Sequence, residues 1–233
     1  MMVNLNEHKF VSKEKLCEQL CCETIKSISV GLAERGKASM LLAGGSSPRP
    51  LYEAMSNQEL NWKNVYFAPT DERWVEPTSP ESNERLIRET LMQNKAARTN
   101  YISLKSASDD PKAGQFEVEE RLNQLPFPTD LVLLGMGEDG HVASLFPNLS
   151  DTMEAIDLNN ENLCQAIHRE ENEVPRMTMT LNTLLNTKRI FLLFYGKKKL
   201  DVFNEAKERQ TNQLPVSYLL HQNKVPIRLY WAE

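Results

Sequence analysis

The chain has 233 residues, 40% of them apolar and 25% charged, with a formal net charge of −5. That length and balance suit a single globular domain, residues 1–233, with a sizeable core, and they exclude collagen-like and disordered chains. The acidic balance argues against nucleic acid or an anionic membrane surface as partner, and no apolar run reaches the ~18 residues of a membrane span.

The amino-terminal stretch MMVNLNEHKF lacks the apolar core of a signal peptide, so a cytoplasmic location is expected. Four cysteines, Cys17, Cys21, Cys22 and Cys164, fit reduced thiols and lack the paired spacing of a zinc site.

The first helix is predicted from Ser12 to about Arg35, with Ser12 as N-cap, Gly36 as stop and Leu16, Leu20, Ile25, Ile28 and Leu32 at helical spacing. A strand at Ser39–Ala43 leads into the loop GGSSPRP, and Leu51–Met55 reads as helical. Asn64–Ala68 is the next strand, ending at Thr70-Asp71-Glu72-Arg73. A helix follows over Ser82–Gln93, then a short strand at Tyr101–Leu104 and a helix from Pro111 to Asn123. The central strand is Asp130–Leu134. Leu163–Ile167 and Met177–Leu181 read as strands or edges, and Asp151–Pro175 as a peripheral excursion. Arg189–Tyr195 is a buried strand, followed by a helix over Lys197–Arg209 and a last strand at Ile227–Trp231. Strands alternating with helices predict a doubly wound, mostly parallel sheet.

Three strand ends carry chemistry. In Gly44-Gly45-Ser46-Ser47-Pro48-Arg49-Pro50, the glycines admit a ligand close to the backbone, and Ser46 or Ser47 can cap the next helix. The lysine of a nucleotide P-loop is missing, so a small phosphoester fits better than a nucleoside triphosphate. An ordinary strand-to-helix turn would use the same residues.

The second strand end is LVLLGMGEDGHVASLFP, residues 131–147. Gly135, Gly137 and Gly140 match the dinucleotide fingerprint literally, but Pro147 leaves no room for the long helix that the fingerprint opens, so nicotinamide binding is not expected. His141 is either a satisfied core histidine or a general base whose tautomer is fixed by Glu138 or Asp139. The third end holds Asp71 and Arg73, which could equally form a surface ion pair. Arg176 and one of Lys197, Lys198 and Lys199 are natural partners of a phosphate.

Taken together, GGSSPRPLYEAM, TDERWV, SNERLIRETL, LVLLGMGEDGHVASLFP, PRMTMTL and YGKKKL resemble, in order, the motifs of 6-phosphogluconolactonases, in the wider group that includes glucosamine-6-phosphate isomerase/deaminases. The resemblance spans Leu41 to Lys199. It implies a Rossmann-like α/β fold with helices on both faces of the sheet, and hydrolysis of 6-phospho-D-glucono-1,5-lactone without a metal or organic cofactor. It implies that His141 is the general base, with Asp139 or Glu138 beside it. Gly44, Gly45, Ser46, Arg176 and Lys199 match the sugar-phosphate positions, and Asp71 and Arg73 the lactone side. Arg73 or loop N–H groups would meet the oxyanion, and Glu76–Ser82 would form a mobile rim. A monomer or weak homodimer is expected.

The deaminase branch is the alternative. There the segment after the histidine resembles G-H-I-A-F-N-E-P, whereas here Phe146 stands where that acid would be. A non-catalytic sugar-phosphate sensor is a third reading; it could dispense with His141.

Overall fold

A computed structural model describes residues 4–170 and 173–233. Residues 1–3 of the amino-terminal stretch, and residues 171 and 172 inside the 151–175 excursion, lie outside the described residues.

The chain begins with β1 (Leu5–Phe10), followed by α1 (Lys13–Arg35), β2 (Ala38–Leu42) and α2 (Arg49–Ser56). Next come β3 (Val65–Pro69), β4 (Asp71–Arg73), α3 (Asn83–Thr90), β5 (Asn100–Tyr101), α4 (Pro111–Leu122) and β6 (Leu131–Gly135). The second half contains α5 (Ser150–Ile156), β7 (Cys164–Ile167), β8 (Arg176–Met179), α6 (Leu181–Leu185), β9 (Ile190–Tyr195), α7 (Lys197–Glu208), α8 (Val216–Leu220) and β10 (Ile227–Ala232).

Seven strands form one parallel sheet in the order β1-β10-β9-β6-β2-β3-β5. The strand order reverses between β2 and β6, and the crevice outside their carboxyl ends is where open α/β sheets hold ligands. Helices cover both faces of the central strands, so the side chains on either side are buried and β2, β6 and β9 are near-continuously apolar. Leu41, Val132, Leu134, Ile190, Leu192 and Phe194 face a core shared with α4 to α8, while Met40, Leu42, Leu131, Leu133, Phe191 and Leu193 face one shared with α1, α2 and α3. The doubly wound fold with helices on both faces is therefore as expected.

Helix α1 starts at Ser12, whose hydroxyl accepts the Lys15 N–H, and stops at Gly36 in the left-handed region. The remaining differences are local. Strand β1 was not expected, because LNEHKF reads as polar; it pairs in parallel with β10, and His8 and Phe10 lay their rings against Tyr230. Neither Ser46 nor Ser47 caps α2, which starts after Pro48 without a side-chain cap. The strand placed at Tyr101–Leu104 is only the two-residue β5.

The 70–73 segment is more than a strand end. Asp71–Arg73 leaves the main sheet as β4 and pairs with β8, which pairs with β7, in a three-stranded antiparallel sheet. The expected excursion over 151–175 thus contributes the fully buried strand β7, as well as α5.

His168, just after β7, ties these pieces together. One ring nitrogen lies 3.0 Å from Asp110, the N-cap of α4, and the other 3.2 Å from Asp151 in the first turn of α5. The hydrogen bond to Asp110 raises the imidazole above its ordinary value against partial burial, and Asp151 adds to the rise. A histidine raised on folding stabilises below its unfolded value of 6.5 and loses that contribution as pH climbs through the folded value. Accordingly, His168→Gln should lower Tm more at about pH 6 than at about pH 9. Equal losses at both pH values in thermal melts would show that the imidazolium clamp is not what the residue contributes.

Candidate functional site

A cavity of about 270 Å³ opens at the carboxyl ends of β2, β3 and β6. Its wall holds Gly44, Gly45 and Ser46 from the loop after β2, Asp71 and Arg73 from β4, His141 from the loop after β6, and Lys199 from the first turn of α7. Seven of the sequence-predicted residues, from four separated segments, thus meet in one place. Asn83, which sequence reasoning did not single out, completes the wall.

The loop after β6 is built around one histidine. The Asp139 carboxylate accepts from His141 Nδ1 at 2.6 Å and from the His141 backbone N–H at 3.2 Å. Burial pushes Asp139 up, but the hydrogen bond and charge of His141 outweigh it and hold the carboxyl at about 2. An ionised carboxylate can only accept, so Nδ1 carries a proton, and in the neutral imidazole Nε2 is the nitrogen that keeps its lone pair. Asp139, not Glu138, is the partner: Glu138 is drawn outward to Lys198 at 2.5 Å. The same pairing assigns the lysines, since Lys198 points to Glu138 while Lys199 lines the cavity.

Two glycines are explained by close approach. A Cβ at Gly137 would stand 2.2 Å from His141 Nδ1 and 2.5 Å from Asp139 Oδ1, so the pair occupies the space above a bare backbone. A Cβ at Gly44 would stand 2.1 Å from the Asn83 side-chain oxygen. Gly137 of the fingerprint-like run therefore serves side chains of this chain, and the next helix after Gly140 begins only at Ser150.

Asp71 does not pair with Arg73 on the surface. It is buried and accepts the Ser144 hydroxyl at 2.6 Å, which fastens β4 to the histidine loop. Its backbone carbonyl accepts the Asn83 side-chain amide at 2.8 Å. Arg73 reaches over the 76–82 segment, donating to the Glu81 carbonyl.

Arg176 is not on the cavity wall itself. It stands opposite Arg73 in the β4–β8 ladder, two like charges in register. Among the described residues, its Nε and Nη1 are buried without a partner. Burial pulls its guanidinium below the ordinary range, and the Arg73 charge adds to this. Two cations forced together with unsatisfied donors form a place for an anion. No cluster of three His, Cys, Asp or Glu side chains suited to a metal ion occurs among the described residues.

Comparison with known proteins follows the same lines. Residues 11–231 match the family model described as glucosamine-6-phosphate isomerases/6-phosphogluconolactonase. The 6-phosphogluconolactonase of Rhizobium meliloti is 31% identical over 231 residues, 99% of this chain and 100% of that protein. The one from Pseudomonas aeruginosa is 31% identical over 213 residues, covering 91% of this chain and 88% of that protein. The crystal structure of a 6-phosphogluconolactonase from Shewanella baltica superposes with a TM-score of 0.95 at 33% identity, covering 100% of both chains.

Replacing Gly137 tests the built pair without reference to any substrate. In Gly137→Ala the methyl group must drive His141 and Asp139 apart, so the downfield proton resonance of the Nδ1–H bonded to the carboxylate should disappear from the NMR spectrum. Its survival would mean that the loop yields instead and that the glycine is not needed for the pair.

Proposed function

The chain belongs to the glucosamine-6-phosphate isomerase/6-phosphogluconolactonase family, and from that premise we propose that it hydrolyses 6-phospho-D-glucono-1,5-lactone to 6-phospho-D-gluconate in the oxidative pentose phosphate pathway. The observation that carries the reading is the Asp139–His141 pair, held through Nδ1, with His141 sharing one cavity with Arg73 and Lys199.

A lactone is an activated ester, so positioning and one proton transfer suffice. The phosphate would sit on the Gly44–Ser46 loop with Lys199 and Arg176, which places the carbonyl carbon near His141. Such anchoring can contribute several kcal/mol of the barrier. His141 Nε2 takes a proton from water as the water oxygen attacks the carbonyl carbon. The imidazolium is stabilised by Asp139, which acts through the histidine as a positioning residue. Arg73 or loop N–H groups donate to the tetrahedral oxyanion. The C1–ring oxygen bond then breaks, the imidazolium returns its proton to the ring oxygen, and the new carboxylic acid ionises in water. No step needs an oxidant, a metal or a nucleotide.

The deaminase reading requires a further acid after the histidine, and Phe146 offers none. The proposed substrate is a soluble metabolite, which suits a cytoplasmic enzyme that works as a monomer or weak homodimer.

The test is a coupled assay with lactone generated in situ and followed above its spontaneous hydrolysis, with glucosamine 6-phosphate run in parallel. Rapid lactone loss without ammonia release is expected; ammonia and fructose 6-phosphate would transfer the chain to the deaminase branch. His141→Asn should lower kcat by roughly a thousandfold, the scale of a lost general base. Lys199→Ala and Arg176→Ala should instead raise KM about tenfold or more, the cost of a charge-assisted hydrogen bond. Unchanged KM in both would remove these cations from the phosphate site.

A further inference from the structure

Asp139 fixes one atom of the His141 ring. A single hydrogen bond at Nδ1 holds a distance, but the imidazole can still swing about that bond and carry Nε2 away from the cavity. His141 is also one-third exposed, so packing against the core does not immobilise it. Something must hold the face of the ring.

Phe146 is in place to do so. Its ring centroid lies 4.7 Å from that of His141, with the planes inclined at 45°. Phe146 has no polar side-chain atom and takes no part in the proton transfers. Its loop is fastened at two points upstream, by the Ser144 hydroxyl on Asp71 and by the bridge between Val142 and Leu145. Its ring is in turn covered by Arg169, whose guanidinium carbon stands 4.2 Å from the centroid. Arg169 is held by Glu173 at 3.0 Å, and its backbone follows His168, which is anchored on both Asp110 and Asp151. A cation over an aromatic face resists displacement of the ring it covers. The order of support therefore runs from the His168 clamp through Arg169 and Phe146 to the imidazole.

We propose that Phe146, held in place by Arg169, is a positioning residue for His141 that fixes the ring plane so that Nε2 faces the cavity. The kinetic form of this inference rests on the lactonase reading above; its structural form does not.

The experiment has two arms. The first follows lactone hydrolysis by Phe146→Leu, Phe146→Tyr and Arg169→Met. Leucine keeps apolar bulk and methionine keeps an apolar stem over the ring, so both variants should melt close to the wild type. Phe146→Leu should lower kcat about tenfold or more with KM within about twofold, the behaviour of a misaimed reacting group. Phe146→Tyr, which restores the ring face, should recover kcat to within about twofold, and Arg169→Met should lower kcat by about threefold. The second arm records the His141 ring NMR signals of the ligand-free proteins. One sharp set is expected for the wild type and for Phe146→Tyr, and broadened or doubled signals for Phe146→Leu.

Wild-type kcat together with unchanged His141 signals in Phe146→Leu would overturn the inference. So would a fall in kcat matched by a proportional rise in KM, which would make Phe146 part of the binding surface. If the wild type fails to hydrolyse the lactone at all, the function reading falls, and the NMR arm alone decides whether Phe146 orients the histidine.

Discussion

Four donors converge on the buried carboxylate of Glu72. One oxygen accepts the backbone N–H groups of Arg73 at 2.7 Å and Asn83 at 2.8 Å; the other accepts the Glu84 N–H at 2.7 Å and the Ser82 hydroxyl at 3.1 Å. The first turn of α3 is thereby sewn to β4. Burial outweighs the three backbone N–H bonds that pull the carboxyl down and leaves it raised to about 7. Without that acceptor, three N–H groups would lose their partner at about 1–3 kcal/mol for each one left buried. The site depends on this joint because its neighbours in sequence are site residues. Asp71 and Arg73 flank Glu72, and Asn83 follows the cap of α3 and lies against Gly44. From Asp71 the connection continues through Ser144 to the histidine loop. A carboxylate that is not on the cavity wall thus sets the relative positions of three of the segments that form the cavity.

The same joint explains why the chain leaves the parallel sheet after β3. Continuing straight would carry 71–73 out past the sheet into solvent. Turning at Thr70 places these residues against β8 instead, over the mouth of the crevice at the strand-order reversal. The pairing brings Arg73 and Arg176 into register, an arrangement that opposes folding, since like charges directly across a ladder repel. Such an arrangement makes sense where an anion arrives to offset it. Arg73 and Lys199 bring positive charge to the cavity, and His141, paired with Asp139, is its proposed base. A phosphorylated substrate would be oriented by charge before any specific contact is made.

Much of this was legible in the sequence, and the parts that were not share a physical cause. The apolar runs Leu41–Leu42, Leu131–Leu134 and Ile190–Phe194 announced central strands because both faces of the sheet are buried. LNEHKF did not announce β1, since an edge strand needs only partial burial and its ordering comes from stacking His8 and Phe10 on Tyr230. Strand β4 spans three residues, too few for periodicity to register, and it pairs with β8 across about a hundred residues of chain; β7 and β8 were legible as strands or edges, but their joining to β4 was not. The site residues were found through strand ends and glycines, but their partners were not. Nothing local says that Ser144 will bond Asp71, that Glu72 rather than Asp71 will cap the α3 junction, or that Glu138 will turn outward. The lysines illustrate the limit. Successive helical residues diverge by about 100°, so only one of three consecutive lysines can face a given direction, and which one does depends on where the helix begins.

The glycine pattern shows how a local motif can be right in form and wrong in meaning. Gly135-x-Gly137-x-x-Gly140 follows a central strand at the reversal of strand order, as a dinucleotide fingerprint would. In that fingerprint the bare backbone makes room for a pyrophosphate and the following helix offers its N-terminus. Here the room above Gly137 is taken by His141 and Asp139 of the same chain, and the backbone beyond Gly140 forms the Val142–Leu145 bridge and reaches Pro147 before any helix begins. The missing side chain at Gly137 makes space for the proposed general base rather than for a cofactor. The distinction turns on the two residues between Gly137 and Gly140, and on the histidine after them. An acid-acid-Gly-His run fills its own cavity, whereas an apolar run would have left it open. A glycine motif is therefore read correctly only when the side chains next to it are asked whether they occupy the space it leaves.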